Sequence, residues 1–197
     1  LPDERVLPMS DGLLRALLDG SQVRVSVVVA TAAAREARGL HGLHTGAQAM
    51  LAQGLAAGAL VASLQKETAR INLQLECDGA LKGMFVDASS SGTVRGYVKN
   101  PLLELEGLPG PFKWRPALGN KGFLSVLRGL DEGEFYRSAV ELESFDLALD
   151  LNHYFQSSDQ VPTRVALFVA PSAGERLGAV VGALAQSLPD ADPGALE

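Results

Sequence analysis

The sequence predicts a mixed α/β (α+β) domain in which a mainly antiparallel sheet is packed by helices. Residues 22–31 (QVRVSVVVAT) are rich in β-branched side chains, which favour a strand. Residues 47–64 (AQAMLAQGLAAGALVASL) are apolar and rich in alanine, which favours a buried helix. Residues 70–98 contain three apolar segments separated by turn residues, a pattern typical of an antiparallel meander.

The N-terminal elements follow from local signals. After the strand over 22–31, a short helix is predicted over 32–38 because Gly39 supplies a typical helix end. The apolar helix then continues to about Glu67. Its Gly54 and Gly58 form a GxxxG pair, and such small residues predict close packing of this helix under a sheet.

The meander has the clearest pattern. Residues 70–76 alternate apolar and polar side chains, residues 78–79 (Asp-Gly) supply a hairpin turn, and residues 81–88 form the returning strand. Residues 89–92 (SSSG) form a second turn before a strand over 93–98.

The C-terminal half adds four elements. A polar, acidic turn separates two apolar segments, and Ser144 is a plausible N-cap. We predict a hairpin of strands 123–130 and 135–142, a helix from Ser144 to about Ser157, a strand over 163–169 and a small-residue helix over 174–188.

Residues 101–120 form a long loop that contains four prolines and is unusually apolar for a loop. Large apolar side chains in such a loop either pack on the body of the domain or form a patch that contacts another protein. Both alternatives stay open. The candidate contact residues are Leu102, Leu103, Leu105, Leu108, Phe112 and Trp114.

Charge and composition exclude several classes of function. The chain has 197 residues and a net charge of −6, which repels phosphate backbones, so no nucleic-acid partner is expected. Residues 131–160 carry eight acids and one arginine, a typical solvated face. Gln48 and Gln53 interrupt the apolar helix and argue against a membrane span. The chain starts without a signal-like segment, and cytoplasmic localisation is expected.

No readable catalytic motif occurs, since the sequence lacks the P-loop, GxGxxG, HExxH and GxSxG patterns. We therefore expect no catalytic residue. One alternative is a small metal-assisted hydrolase that uses Asp146, Asp150 and His153, which share one face of the predicted helix. An exposed polar helix face predicts the same residues.

The remaining metal and redox candidates are few. His41 and His44 have HxxH spacing, but a zinc site would also need ligands such as Cys77 and Asp78, so no metal site is expected. Cys77 is the single cysteine and permits no disulfide within the chain, which fits a reducing compartment. Its neighbours Glu76 and Asp78 disfavour the thiolate, so we interpret it as a structural residue.

Four segments in order resemble the N-terminal domain of the 33 kDa chaperonin family. They are residues 78–81 (DGAL), 92–101 (GTVRGYVKNP), 119–124 (GNKGFL) and 157–163 (SSDQVPT), and the resemblance spans about residues 11–190. It implies a twisted sheet with helices and a redox-regulated heat-shock holdase.

The resemblance also implies an organisation. Residues 1–190 would be a domain that holds unfolding client proteins without ATP, and residues 191–197 the start of a linker. A C-terminal zinc domain with four cysteines would form the redox switch, in which oxidation expels zinc and exposes client-binding surface. This chain carries none of those four cysteines, so the switch either follows it in the natural protein or is missing from this member. No cofactor is expected in this chain.

The expected partners are unfolded clients and a second copy in a homodimer. The six loop residues named above are then the candidate client-binding or self-association residues. A purely structural dimerisation module stays open as a further alternative.

Overall fold

The computed structural model describes residues 10–18, 20–66, 69–104, 114–129, 135–171 and 177–189, and residues 191, 194 and 196. The elements follow one another as β1 (Gly12–Leu18), β2 (Val23–Val29), α1 (Thr31–His41), α2 (Thr45–Ser63), β3 (Arg70–Cys77), β4 (Gly83–Ser89), β5 (Val94–Val98), α3 (Arg115–Leu118), β6 (Gly122–Gly129), β7 (Phe135–Glu141), α4 (Leu147–Tyr154) with a π-helical turn (Phe155–Asp159), β8 (Thr163–Pro171) and β9 (Leu177–Ser187).

The strands form two antiparallel sheets. A four-stranded sheet has the order β1-β2-β9-β8, and a five-stranded sheet has the order β5-β4-β3-β6-β7. The predicted α+β class is confirmed, with two sheets in place of one. The meander and the hairpin are also confirmed, and both belong to the five-stranded sheet.

Helix α2 lies between the two sheets and contacts strands of both. Every residue from Gly46 to Ser63 is buried, because the helix has protein on all sides. The predicted close packing is confirmed at both glycines. A Cβ atom at Gly54 would overlap the Met84 sulfur, and one at Gly58 would lie 2.6 Å from Val86 Cγ1.

Among the described helices, none combines the length and the apolar character that crossing a bilayer requires.

The helix predicted over 174–188 is wrong, because Leu177–Ser187 is strand β9. Its alanine, glycine and valine residues suit a helix locally, but β9 lies centrally between β2 and β8 and gains two full ladders. A Cβ atom at Gly182 would lie 2.9 Å from Leu60 of α2, so a small residue is needed there.

Three further details differ from the sequence-based expectation. Helix α1 continues through Gly39 to His41, and the left-handed residue at its end is Gly42. Strand β1 had no prediction. The N-cap of α4 is Asp146 and not Ser144, because the Asp146 carboxylate accepts hydrogen bonds from the N–H groups of Ala148 (3.0 Å) and Leu149 (3.2 Å).

Candidate functional site

The four-stranded sheet has two chemically different faces because side chains alternate along each strand. Towards α2 point buried residues such as Ser26 and Val28 of β2, and the Ser63 hydroxyl of α2 donates to Ser26 Oγ (2.8 Å). The opposite face is called here the outer apolar face. It consists of Leu14, Ala16, Leu18, Val25, Val27, Val29, Ala166, Phe168, Val181, Ala183 and Ala185.

The outer apolar face carries large apolar side chains in contact with solvent. Leu14 of β1 is 60% exposed and Phe168 of β8 is 61% exposed, at opposite edges of the sheet. Arg164 is the one charged side chain that the described strands direct to this face. Helix α2 packs on the other side of the sheet, where Gly182 approaches Leu60. A contiguous apolar face of this kind is typical of a protein contact surface.

The outer face of the five-stranded sheet is polar by comparison. Asp87 is buried and accepts hydrogen bonds from Arg70 (3.1 Å) and Arg95 (2.9 Å). Burial alone would raise the pKa of Asp87, but these arginines hold it below its usual value. Arg137 donates to Gln74 Oε1 (2.9 Å) and is similarly satisfied within the sheet.

The structure places the predicted loop residues in different environments. Leu103 and Trp114 are only 5% and 4% exposed and belong to the core, whereas Leu102 is 64% exposed. The start of the loop packs on the body because it caps α2, where Ala47 N–H donates to Leu103 O (3.0 Å). The structure gives Leu103 and Trp114 core positions, and the prediction that these side chains contact clients is untested. Leu105, Leu108 and Phe112 lie outside the described residues.

The residues considered for a metal-assisted hydrolase, Asp146, Asp150 and His153, make hydrogen bonds or ion pairs within or next to helix α4. Asp150 is fully buried, so the expectation of an exposed polar face is wrong for this residue. Its carboxylate accepts from the N–H groups of Glu143 (3.0 Å), Ser144 (2.8 Å) and Asp146 (3.1 Å) and so organises the turn before α4. The carboxylates of Asp146 and Asp150 therefore both serve backbone N–H groups.

His153 makes no hydrogen bond to Asp146 or Asp150 among the contacts of the described residues. Its Nδ1 atom is 3.5 Å from a Glu143 carboxylate oxygen and 3.3 Å from the Ser157 hydroxyl. In the part of the chain that the structure describes, no three His, Cys, Asp or Glu side chains form a group that could hold a metal ion.

The residues considered for a zinc site also have other partners. His44 Nδ1 lies 2.7 Å from Glu104, while Asp78 accepts from the N–H groups of Asn120 (2.8 Å) and Lys121 (2.9 Å). These backbone hydrogen bonds lower the pKa of Asp78. Burial raises the pKa of the half-buried Cys77 thiol, and the Asp78 charge acts in the same direction. The predicted disfavouring of the thiolate agrees with these surroundings, although burial is its larger cause.

The sequence did not reveal the outer apolar face. The consecutive valines of β2 indicate a strand buried on both sides, and only the sheet order shows that one side has no layer of described residues over it. The residues of β1 that join this face lie in a segment with apolar side chains on both sides and no clear alternation.

Comparisons with known proteins agree with each other. The family described as Hsp33 protein matches residues 11–197. The 33 kDa chaperonins of Synechococcus sp. (strain JA-3-3Ab) and Gloeobacter violaceus are each 42% identical over 93% of this chain, which covers 58% and 60% of their lengths. The crystal structure of the 33 kDa chaperonin from Thermotoga maritima has a TM-score of 0.80 and 31% identity, covering 88% of this chain and 60% of that one.

The chain thus spans about three fifths of the length of these relatives. Sequence and fold match over most of its residues, and the resemblance seen in the motifs is confirmed. The chain belongs to the Hsp33 family of 33 kDa chaperonins.

Proposed function

We propose that this chain is an ATP-independent holdase domain that captures unfolding proteins and prevents their aggregation. The relatives that it matches are named chaperonins, which supports a chaperone function. The observation that carries the proposal is the outer apolar face, where one arginine accompanies eleven apolar side chains. Apolar area removed from water there contributes roughly 25 cal/mol per Å², so an exposed apolar client segment would bind without any bond being made or broken.

The outer apolar face is a better candidate than the loop over 101–120. Leu103 and Trp114 already belong to the core of the chain, so binding through them would require these two side chains to leave it. Leu102 is exposed, and a role for it and for Leu105, Leu108 and Phe112 stays a prediction.

The surplus of negative charge has a complementary role in this proposal. A net charge of −6 gives the domain and its client complexes a common sign, and like-charged surfaces resist association. The acids of residues 131–160 supply much of that charge. The apolar face would then capture polypeptides while the charge keeps the complexes dispersed.

We further propose that the activity is redox-regulated by a zinc switch elsewhere in the whole protein. In its reduced, zinc-bound form that switch would cover the outer apolar face, and oxidation would uncover it. Cys77 is the single cysteine of this chain, so its residues do not fit a four-thiolate site and no step involving zinc is assigned to them. A homodimer and a cytoplasmic location belong to the same proposal.

The decisive test compares two double variants with similarly exposed side chains. Leu14→Ser with Phe168→Ser changes the outer apolar face, and Tyr97→Ser with Phe123→Ser changes the five-stranded sheet, where both residues are about half exposed. Light scattering of a thermally unfolding client enzyme would report aggregation. We expect the first variant to lose most of its suppression of client aggregation and the second to retain it, since only the first removes apolar area from the outer apolar face.

Circular dichroism must show that both variants remain folded. Full suppression by the Leu14→Ser, Phe168→Ser variant would contradict the assignment of the face. An absence of suppression by the unchanged chain would contradict the holdase function itself. Sedimentation at several concentrations would separate a holdase from a module whose apolar face only joins two copies.

A further inference from the structure

The two sheets have four edge strands, and three of them are protected. An unprotected edge pairs readily with other chains, so proteins block edges with charges, bulges or covering elements. Strand β8 has a bulge between Ala170 and Pro171, and its Val165 N–H donates to Asn152 Oδ1 of α4 (2.8 Å). Strand β5 has only five residues and includes Arg95. Strand β7 carries Arg137 and Glu141.

Strand β1 has the least of these protections, because it has no bulge, is longer than β5 and carries one charged residue where β7 carries two. Its seven residues, GLLRALL, contain no proline and pair with β2 without a bulge. Side chains on both of its faces are apolar, and Leu17, on the face opposite to Leu14, is still 59% exposed. Its one charged residue is Arg15, whose guanidinium donates to Ser90 O (3.0 Å). A long, flat, apolar edge of this kind is a template for an added strand.

The direction of the free backbone groups follows from the ladder. Ala30 N–H donates to Val180 O (3.0 Å), so even-numbered residues of β2 direct their backbone groups to β9 and odd-numbered ones to β1. The β1 residues paired with the odd-numbered valines have their groups occupied. The backbone groups that point to the open edge, with no partner among the described residues, are those of Leu13, Arg15 and Leu17.

We propose that β1 captures an extended client segment as an additional antiparallel strand of the four-stranded sheet. This inference rests on the proposed holdase function and defines its substrate class. The segment has about seven residues, alternates apolar side chains and lacks proline, because proline removes a ladder donor. Its apolar side chains would extend the outer apolar face, to which Leu14, Ala16 and Leu18 of β1 already belong.

Charge favours a client over a second copy at this edge. Arg15 is the middle residue of β1, so full twofold pairing of two copies would place two arginines directly opposite each other. Like charges in that position are destabilising, and a shift by two residues leaves two residues of each strand unpaired. A client residue opposite Arg15 is therefore neutral or, more favourably, acidic.

The test uses the 197-residue chain and a labelled peptide, acetyl-Val-Thr-Val-Glu-Val-Thr-Val-amide. With the glutamate opposite Arg15, the second, fourth and sixth peptide residues direct their N–H groups to β1. A peptide N-methylated at those three positions loses the donors, whereas one N-methylated at the first, third and fifth positions keeps them. By fluorescence anisotropy, we expect the first peptide to bind at least about tenfold more weakly and the second within about twofold of the parent peptide, since each lost hydrogen bond contributes a few-fold.

Two substitutions at Arg15 test the contribution of β1 to the same hydrogen bonds. Arg15→Pro removes an outward N–H group, which an edge strand tolerates, whereas Arg15→Ala keeps it. We expect Arg15→Pro to lose peptide binding and Arg15→Ala to lose only the preference for glutamate over glutamine. If Arg15→Pro fails to fold, the two N-methylated peptides still decide the question.

Several outcomes would overturn the inference. Equal binding of the two N-methylated peptides, or no binding of the parent peptide while the chain still suppresses client aggregation, would leave the holdase function standing and remove strand addition. A dimer in sedimentation that the peptide dissociates would identify a second copy as the occupant. Failure to suppress aggregation at all would instead refute the proposed function.

Discussion

The outer faces of the two sheets differ in the side chains that they expose to water. On the five-stranded sheet, Asp87 is buried between Arg70 and Arg95, and polar side chains bond one another across strands. On the four-stranded sheet, neighbouring strands present valine, alanine, leucine and phenylalanine to solvent. The first face combines this buried polar cluster with half-exposed aromatic side chains such as Tyr97 and Phe123, whereas the second carries one charged side chain among apolar ones.

This difference separates the side chains that form the core from those that remain accessible. Both sheets pack on the same helix, α2, so the two outer faces lie on opposite sides of one shared core. The inner faces supply the buried apolar area that stabilises the fold.

The largest expected effect is a loss of stability on removal of the Asp87 carboxylate from the five-stranded sheet. Asp87→Ala would leave two arginines without their shared acceptor and remove a buried carboxylate's hydrogen bonds. We expect the free energy of unfolding to fall by about 2–4 kcal/mol, measured by urea denaturation. Asp87→Asn is the matched control and should lose less, because its amide oxygen still accepts. If Asp87→Ala lowers the free energy of unfolding by less than about 0.5 kcal/mol, Asp87 and its two arginines do not stabilise the fold as proposed.

The second expected effect is a pH dependence of the stability that Asp87 contributes through Arg70 and Arg95. The pKa of Asp87 is lower in the folded chain than its usual value. The stabilisation is therefore present above the unfolded pKa of about 3.9 and is lost as pH falls through the lower folded value. We expect the stability difference between the unchanged chain and Asp87→Asn to narrow below about pH 4. A difference that is constant from pH 6 to pH 3 would show that the charge of Asp87 is not involved.

The sequence predicts one sheet much better than the other. The meander and the hairpin alternate clearly, because one face of each strand is buried and the other is polar. In β9, alanine, valine and glycine occupy both faces, and no polar residue marks the outer one until Ser187. Because both faces of β9 are apolar, its sequence lacks the alternation that identifies a strand. The helix prediction over 174–188 failed for this reason.

The candidate site shows the same limit. The loop over 101–120 is apolar in sequence, but capping of α2 buries Leu103 against the core. The valines of β2 predict a strand buried on both sides, although Val25, Val27 and Val29 face outward. Local patterns identify apolar residues, whereas the order of strands in space decides which of them remain accessible.

The smallest expected effect on stability comes from the outer apolar face and separates its role from that of the core. Val27 and Val28 are neighbours in β2 that point to opposite faces, and Val28 is buried. Val27→Thr should change the free energy of unfolding by less than about 0.5 kcal/mol, because water can reach its hydroxyl. Binding of the apolar dye ANS should fall, since the face becomes more polar. Val28→Thr buries a hydroxyl and should cost about 1–3 kcal/mol without reducing dye binding to the folded chain. If Val27→Thr destabilises the chain as much as Val28→Thr does, the outer apolar face is part of the core and its availability to clients is refuted.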